Sequence, residues 1–134
     1  NSTEMDTDCH EAVIDLMESQ KSIVKKGGTM RLGAWDCELQ AESKAAAAYQ
    51  KKTVSERHRH RYEFNNDFAD RIFDENFIIA GTNPETGLVE IIEYNDHPWF
   101  VGVQFHPEYK STVSDPHPLF VAFVQASLMQ KAKK

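Results

Sequence analysis

Residues 99–108 read Trp-Phe-Val-Gly-Val-Gln-Phe-His-Pro-Glu, an apolar, β-branched run that stops at a proline and two ionisable side chains. The run from Trp99 to Phe105 predicts a strand. Pro107 fixes its own φ and pushes His106 out of the helical region, so the chain should stay extended past the strand's end. In an extended chain alternate side chains point the same way. His106 and Glu108 would then project together, with about 6.6 Å between their α-carbons, close enough for a hydrogen bond. An imidazole oriented by a carboxylate at the carboxyl end of a strand is the base half of a nucleophilic triad. The same spacing also suits a His–Glu bond that merely ends a strand.

Working outward, Phe77–Ala80 and Leu88–Ile92 are two further strand-like runs, separated by the turn-rich residues 83–87 (Asn-Pro-Glu-Thr-Gly). In the second run Val89, Ile91 and Glu93 share one face, and Leu88, Glu90 and Ile92 the other. Ala12–Met17 reads as a short strand, Lys25–Gly28 as a turn, and Met30–Leu39 as an extended segment broken near Gly33. Ser43–Tyr49 holds four consecutive alanines but is too short for a helix without tertiary packing. Asp67–Glu75 predicts a short helix. A longer one begins at Pro118, with Phe120, Val124 and Leu128 in an apolar stripe beside Leu119 and Phe123, and lysines at its C-terminal end. Strands and helices alternate irregularly, which points to a layered α/β fold.

The chain has 134 residues, 40% hydrophobic and 27% charged, with a net charge of −6. That balance fits one globular domain and argues against a protein that grips nucleic acid or an anionic membrane. No apolar run approaches the length of a spanning helix, and the N-terminal residues lack the features of a signal peptide, so a cytoplasmic location is expected. Against this acidic background Lys51–Arg61 carries five basic residues and one acidic. If extended, Arg57, Arg59 and Arg61 line one side, and His58 and His60 the other. Guanidinium groups suit carboxylate or phosphate oxygens, although a solvated basic loop would look the same. A metal bound through His58 and His60 is disfavoured by the flanking arginines, and no metal site is expected. Cys9 and Cys37 are expected to be unbridged thiols, and neither sits on a glycine-framed strand–helix elbow that would expose a nucleophile.

Four stretches carry a family resemblance: Asn1-Ser2-Thr3-Glu4, residues 28–33 (Gly-Thr-Met-Arg-Leu-Gly), residues 57–66 (Arg-His-Arg-His-Arg-Tyr-Glu-Phe-Asn-Asn), and His97-Pro98-Trp99-Phe100 through Phe105-His106-Pro107-Glu108. Together they resemble the CTP synthase family. More narrowly, residues 1–134 resemble the C-terminal part of its class I glutamine amidotransferase (glutaminase) domain, a central mixed sheet flanked by helices. The resemblance implies glutamine hydrolysis by a Cys-His-Glu triad. The ammonia then passes to an amidoligase domain that aminates ATP-activated UTP to CTP. His106 matches the general base and Glu108 its orienting carboxylate. Glu4 and Arg61 match residues that bind L-glutamine through its α-ammonium and α-carboxylate.

The chain opens on Asn1 without an initiator Met, and the family's nucleophilic cysteine lies upstream of the Asn-Ser-Thr-Glu segment. A fragment, inactive by itself, is therefore expected. The parent implied is a cytoplasmic homotetramer with ATP and Mg²⁺ in its amidoligase domain and GTP as allosteric activator; no cofactor is expected in these residues. Residues 41–53 match the family least and are expected to form a surface segment. Two other readings remain: the glutaminase of another class I enzyme, such as GMP synthetase, and a non-catalytic module whose arginines hold a nucleotide phosphate.

Overall fold

The computed structural model describes residues 1–16 and 30–133. The turn expected at Lys25–Gly28 and the end of the Ala12–Met17 run lie outside these residues. Among the described residues the strands are β1 (Ile14–Leu16), β2 (Arg31–Leu39), β3 (Thr53–His60), β4 (Tyr62–Phe64), β5 (Phe77–Thr82), β6 (Val89–Tyr94) and β7 (Val101–Val103). The α-helices among these residues are α1 (Lys44–Tyr49), α2 (Ala69–Ile72) and α3 (Pro118–Ala132), with 3-10 turns at Asn66–Phe68 and Pro107–Lys110. The layered α/β expectation holds, and every strand pairing in the described residues is antiparallel: a five-stranded sheet in the order β3-β2-β5-β6-β7 and a ribbon of β1 with β4.

Edge strand β3 and the segment leaving the opposite edge, β7, touch each other. The His106 N–H donates to the Arg57 carbonyl at 2.9 Å, Lys110 Nζ donates to the Ser55 carbonyl, and the Phe105 ring meets His58 edge-on at 5.9 Å. The sheet is therefore curled. Inside the curl lie Cys37, Leu39, Val54, Ala80, Ile91 and Phe105, joined by Ala45 of α1 and Leu119 of α3. Alternation along β3 sends Val54, Glu56 and His58 inward and leaves Arg57 and Arg59 exposed, as period-two geometry requires.

The alanine-rich segment departs from its expected surface role. Ala45 is fully buried, and α1 survives at six residues because its orphan N–H groups are satisfied by tertiary partners. Ser43 Oγ accepts from Ala46 N at 3.0 Å. The buried Glu93 carboxylate, from β6, accepts from Lys44 N at 2.8 Å and Ala45 N at 2.7 Å, placing negative charge at the positive end of the helix. At α3 the apolar stripe divides: Leu119 is buried, whereas Phe120, Phe123, Val124 and Leu128 are exposed. The ring nitrogen Nδ1 of His117 caps this helix by accepting from Leu119 N at 3.3 Å. His117 Nε2 reaches Glu56 Oε1 at 3.0 Å, and the same oxygen accepts from the Tyr49 hydroxyl at 2.9 Å. One buried carboxylate thus ties α1, β3 and α3 together. The helix expected over Asp67–Glu75 is shorter, split between a 3-10 turn and α2. Likewise β7 occupies only the middle of the expected Trp99–Phe105 strand.

Gly81 lies where two core side chains converge. A Cβ there would stand 2.7 Å from Cys37 Sγ and 3.0 Å from Ile91 Cγ1, and both neighbours are fully buried. Gly81→Ala is expected to destabilise the chain by about 1–3 kcal/mol in denaturant unfolding. In a Cys37→Ala background that cost should shrink, because the closest atom is gone; an equal cost in both backgrounds would contradict the packing account.

Candidate active site

His106 has φ −110° and ψ 90°, and Pro107 opens the 3-10 turn that carries Glu108. The expected contact forms, but by another route: the chain turns after His106 instead of remaining extended, and the turn brings the carboxylate back. His106 Nδ1 and Glu108 Oε1 are 2.6 Å apart. An ionised carboxylate can only accept, so Nδ1 carries a proton; in the neutral ring that leaves Nε2 bare, the tautomer a general base requires. This hydrogen bond holds the Glu108 carboxyl below its ordinary range. Tyr109 stacks on the imidazole at 5.1 Å, 20° from parallel.

A cleft of about 500 Å³ is lined by Glu4, Ile14, Met30, Arg59, His60, Arg61, Tyr62 and Gln104; His106 and Glu108 are not part of that lining, and Gln104 lies two residues before His106 in the chain. Glu4 and Arg61, distant in sequence, reach the cleft through backbone pairing. Thr3 N donates to the Ile14 carbonyl at 3.0 Å, which fastens the N-terminal segment to β1, and β1 pairs with β4 in the register Leu16↔Tyr62. Arg61 is the residue just before β4. A carboxylate and a guanidinium in one cleft complement the two charges of a free α-amino acid. Of the remaining arginines, Arg59 lines the cleft, whereas Arg57 is exposed outside that lining.

A family model described as glutamine amidotransferase class-I matches residues 9–126. The chain belongs to this family. Among curated relatives, a CTP synthase of Christiangramia forsetii is 60% identical over 134 residues, which is all of this chain and 24% of that protein. A CTP synthase of Cytophaga hutchinsonii is 59% identical over 127 residues, covering 95% of this chain and 24% of that protein. Among solved structures, the glutaminase domain of Trypanosoma brucei CTPS with bound acivicin superposes with a TM-score of 0.86 at 32% identity, covering 96% of this chain and 50% of that one. This amidotransferase chain therefore spans about a quarter of the curated relatives' length.

Cys37 of the amidotransferase chain lacks the features of an activated nucleophile. Cys37 is fully buried, and burial, with the Glu90 charge second, pushes its thiol up to about 12. Both Cys37 and Cys9 are free. The two histidines considered as ligands are engaged otherwise: His60 Nδ1 donates to the Tyr62 carbonyl at 3.1 Å, and His58 Nδ1 lies 2.7 Å from His60 Nε2. Among the described residues no group of three His, Cys, Asp or Glu is arranged to hold a metal.

Behind the cleft is a buried polar cluster that the spacing of the sequence did not single out. Arg31, on β2, reaches Glu90 at 2.5 Å and Glu63 at 3.5 Å, with all three side chains at most 4% exposed. Arg31 also lies 4.6 Å from the Trp35 ring centre. His58 Nε2 faces Glu90 Oε2 at 3.7 Å, and neither atom has a hydrogen-bond partner. Burial pushes His58 down to about 3 and His60 down to about 4, keeping both neutral. One guanidinium thus serves two carboxyls. Burial raises Glu90 and lifts Glu63 to about 7, with Arg31 opposing and the Glu90 charge adding to the rise. The signs in the sequence were slight: Arg31 between Met30 and Leu32, and Glu90 between Val89 and Ile91 in a strand.

The signs of these shifts differ. The Glu63 contribution to stability is complete below its ordinary value of 4.5 and is lost as pH rises through about 7. The histidines contribute fully above 6.5 and lose it as pH falls toward 4 and 3. Glu63→Gln removes only the first effect. Urea unfolding at pH 5 and pH 8 should therefore show the stability difference between variant and wild type moving in the variant's favour at the higher pH; a pH-independent difference would contradict the assignment.

Proposed function

We propose that residues 1–134 form the C-terminal part of the glutaminase domain of a CTP synthase, and that they hold glutamine and the base for its hydrolysis. What supports this reading is the 2.6 Å His106–Glu108 pair together with a cleft lined by Glu4, Arg61 and Gln104, Gln104 standing two residues before His106. Arg61 pairs with the α-carboxylate of L-glutamine through two parallel hydrogen bonds, and Glu4 accepts from its α-ammonium. The side-chain carboxamide then extends toward His106.

The thiol comes from the half of the glutaminase domain outside this chain, in keeping with the 50% coverage of the trypanosomal domain. His106 Nε2 takes the thiol proton while Glu108 holds Nδ1–H and stabilises the imidazolium. The thiolate attacks the carboxamide carbon, and His106 returns the proton to the departing nitrogen. Ammonia leaves and a thioester remains. His106 next draws a proton from water, whose oxygen attacks the thioester and releases glutamate and thiol. The ammonia feeds ATP-dependent amination of UTP to CTP in an amidoligase domain, where ATP and Mg²⁺ act; GTP activates the whole enzyme.

A chimera tests this reading without requiring the chain to work alone: these 134 residues replace the matching quarter of the Christiangramia forsetii CTP synthase. His106→Ala should abolish glutamine-dependent CTP formation and preserve the ammonia-dependent reaction, which bypasses the base. Equal loss of both would indicate a folding role. Arg61→Lys replaces a forked contact by a point contact and should raise KM for glutamine roughly tenfold or more, since a charge-assisted hydrogen bond is worth about 1.5–3 kcal/mol. An unchanged KM would reject the clamp.

A further inference from the structure

The clamp and the base sit on different parts of the chain, Arg61 between β3 and β4 and His106 beyond β7, yet one glutamine must reach both. Next to the clamp, one backbone oxygen ties the two segments together. The Tyr62 carbonyl, one residue past Arg61, accepts from Gln104 Nε2 at 3.1 Å and from His60 Nδ1 at 3.1 Å. Gln104 precedes His106 by two residues, lines the cleft, and is itself fixed by its backbone N–H, which donates to the Glu90 carbonyl at 2.9 Å. The intervening Phe105 is buried and packs on His58, so the segment is anchored between the two polar residues. The His60 bond has its own support. A carbonyl only accepts, so neutral His60 holds its proton on Nδ1 and leaves Nε2 to accept from His58 Nδ1.

We propose that Gln104 is a positioning residue that locks the Arg61 turn to the segment bearing His106, setting the separation between the carboxylate clamp and the base. The inference rests on the reading of the cleft as a glutamine site. Gln104 acts through the Tyr62 backbone and hence through Arg61, so its loss affects glutamine binding before it affects the chemical step.

The test uses the chimeric enzyme with Gln104→Met, which keeps the side chain's length and removes the donor. KM for glutamine is expected to rise three- to tenfold, roughly the worth of one neutral hydrogen bond, with kcat within twofold of wild type and the rates read against ammonia-dependent CTP formation in the same preparation. In an Arg61→Lys background the same substitution should raise KM by a factor close to one, because the contact it aligns is already lost. An unchanged KM, an equal factor in both backgrounds, or parallel loss of glutamine- and ammonia-dependent rates would overturn the proposal. Should Gln104→Met yield no soluble enzyme, Gln104→Glu, of the same size and without the donor at neutral pH, is read in the same way. If His106→Ala and Arg61→Lys leave glutamine-dependent synthesis intact, the glutamine reading itself fails, whatever Gln104→Met does.

Discussion

The hydrogen bond from the His106 N–H to the Arg57 carbonyl joins the two ends of the strand order. Strand β3 lies at one edge of the five-stranded sheet and β7 at the other, so this contact exists only because the sheet curls. Three consecutive residues of β3 then grip the segment that follows β7: Ser55 through Lys110, Glu56 through His117, and Arg57 through His106. The turn that presents Glu108 to His106 is held from below by this grip. An edge strand whose free carbonyls are used in this way also avoids offering them to another chain.

The interior is unusually polar for a core of this size, with Arg31, Glu56, His58, Glu63, Glu90, Glu93 and His117 all buried. Burying such groups is costly unless they are paired, and the pairings differ in quality. Glu93 accepts two short backbone hydrogen bonds at the start of α1, and Glu56 joins three elements. The Arg31 cluster is less well satisfied: atoms of Arg31, Glu63, Glu90 and His58 have no hydrogen-bond partner. That cluster lies behind the cleft, where Glu63 sits two residues beyond Arg61 and His60 lines the wall. The better-satisfied carboxylates thus lie at the starts of α1 and α3, and the less well paired ones in the Arg31 cluster.

Local chemistry was legible where a few residues decide the backbone. Proline at 107 and 118, the alternation of β3 and β6, and the helix beginning at Pro118 are of this kind. The His106–Glu108 contact was legible too, although a 3-10 turn and not an extended chain creates it. What escaped was set by partners distant in sequence. Four alanines do not announce that Glu93 will cap their helix, and the apolar stripe of α3 does not say which residues will stay exposed. Nor does Glu90, on the face opposite Val89 and Ile91, show that it too will be buried, since that depends on Arg31 arriving from β2. Gln104 stood inside the quoted motif, but its role needs the Tyr62 carbonyl, which only the curl brings near. The functional reading gained from the resemblance, because the proposed base, its carboxylate and the proposed clamps come from three separated stretches, around Glu4, Arg61 and His106–Glu108.

The proposed function requires one glutamine to reach from Arg61 to His106. A crystal structure of the chimeric enzyme, its nucleophilic cysteine replaced by alanine and L-glutamine bound, tests this most directly. The bound molecule is expected with its α-carboxylate forked on Arg61, its α-ammonium on Glu4, and its carboxamide directed toward His106 Nε2. Glutamine bound with its carboxylate on Arg57, or with its carboxamide turned away from His106, would contradict it.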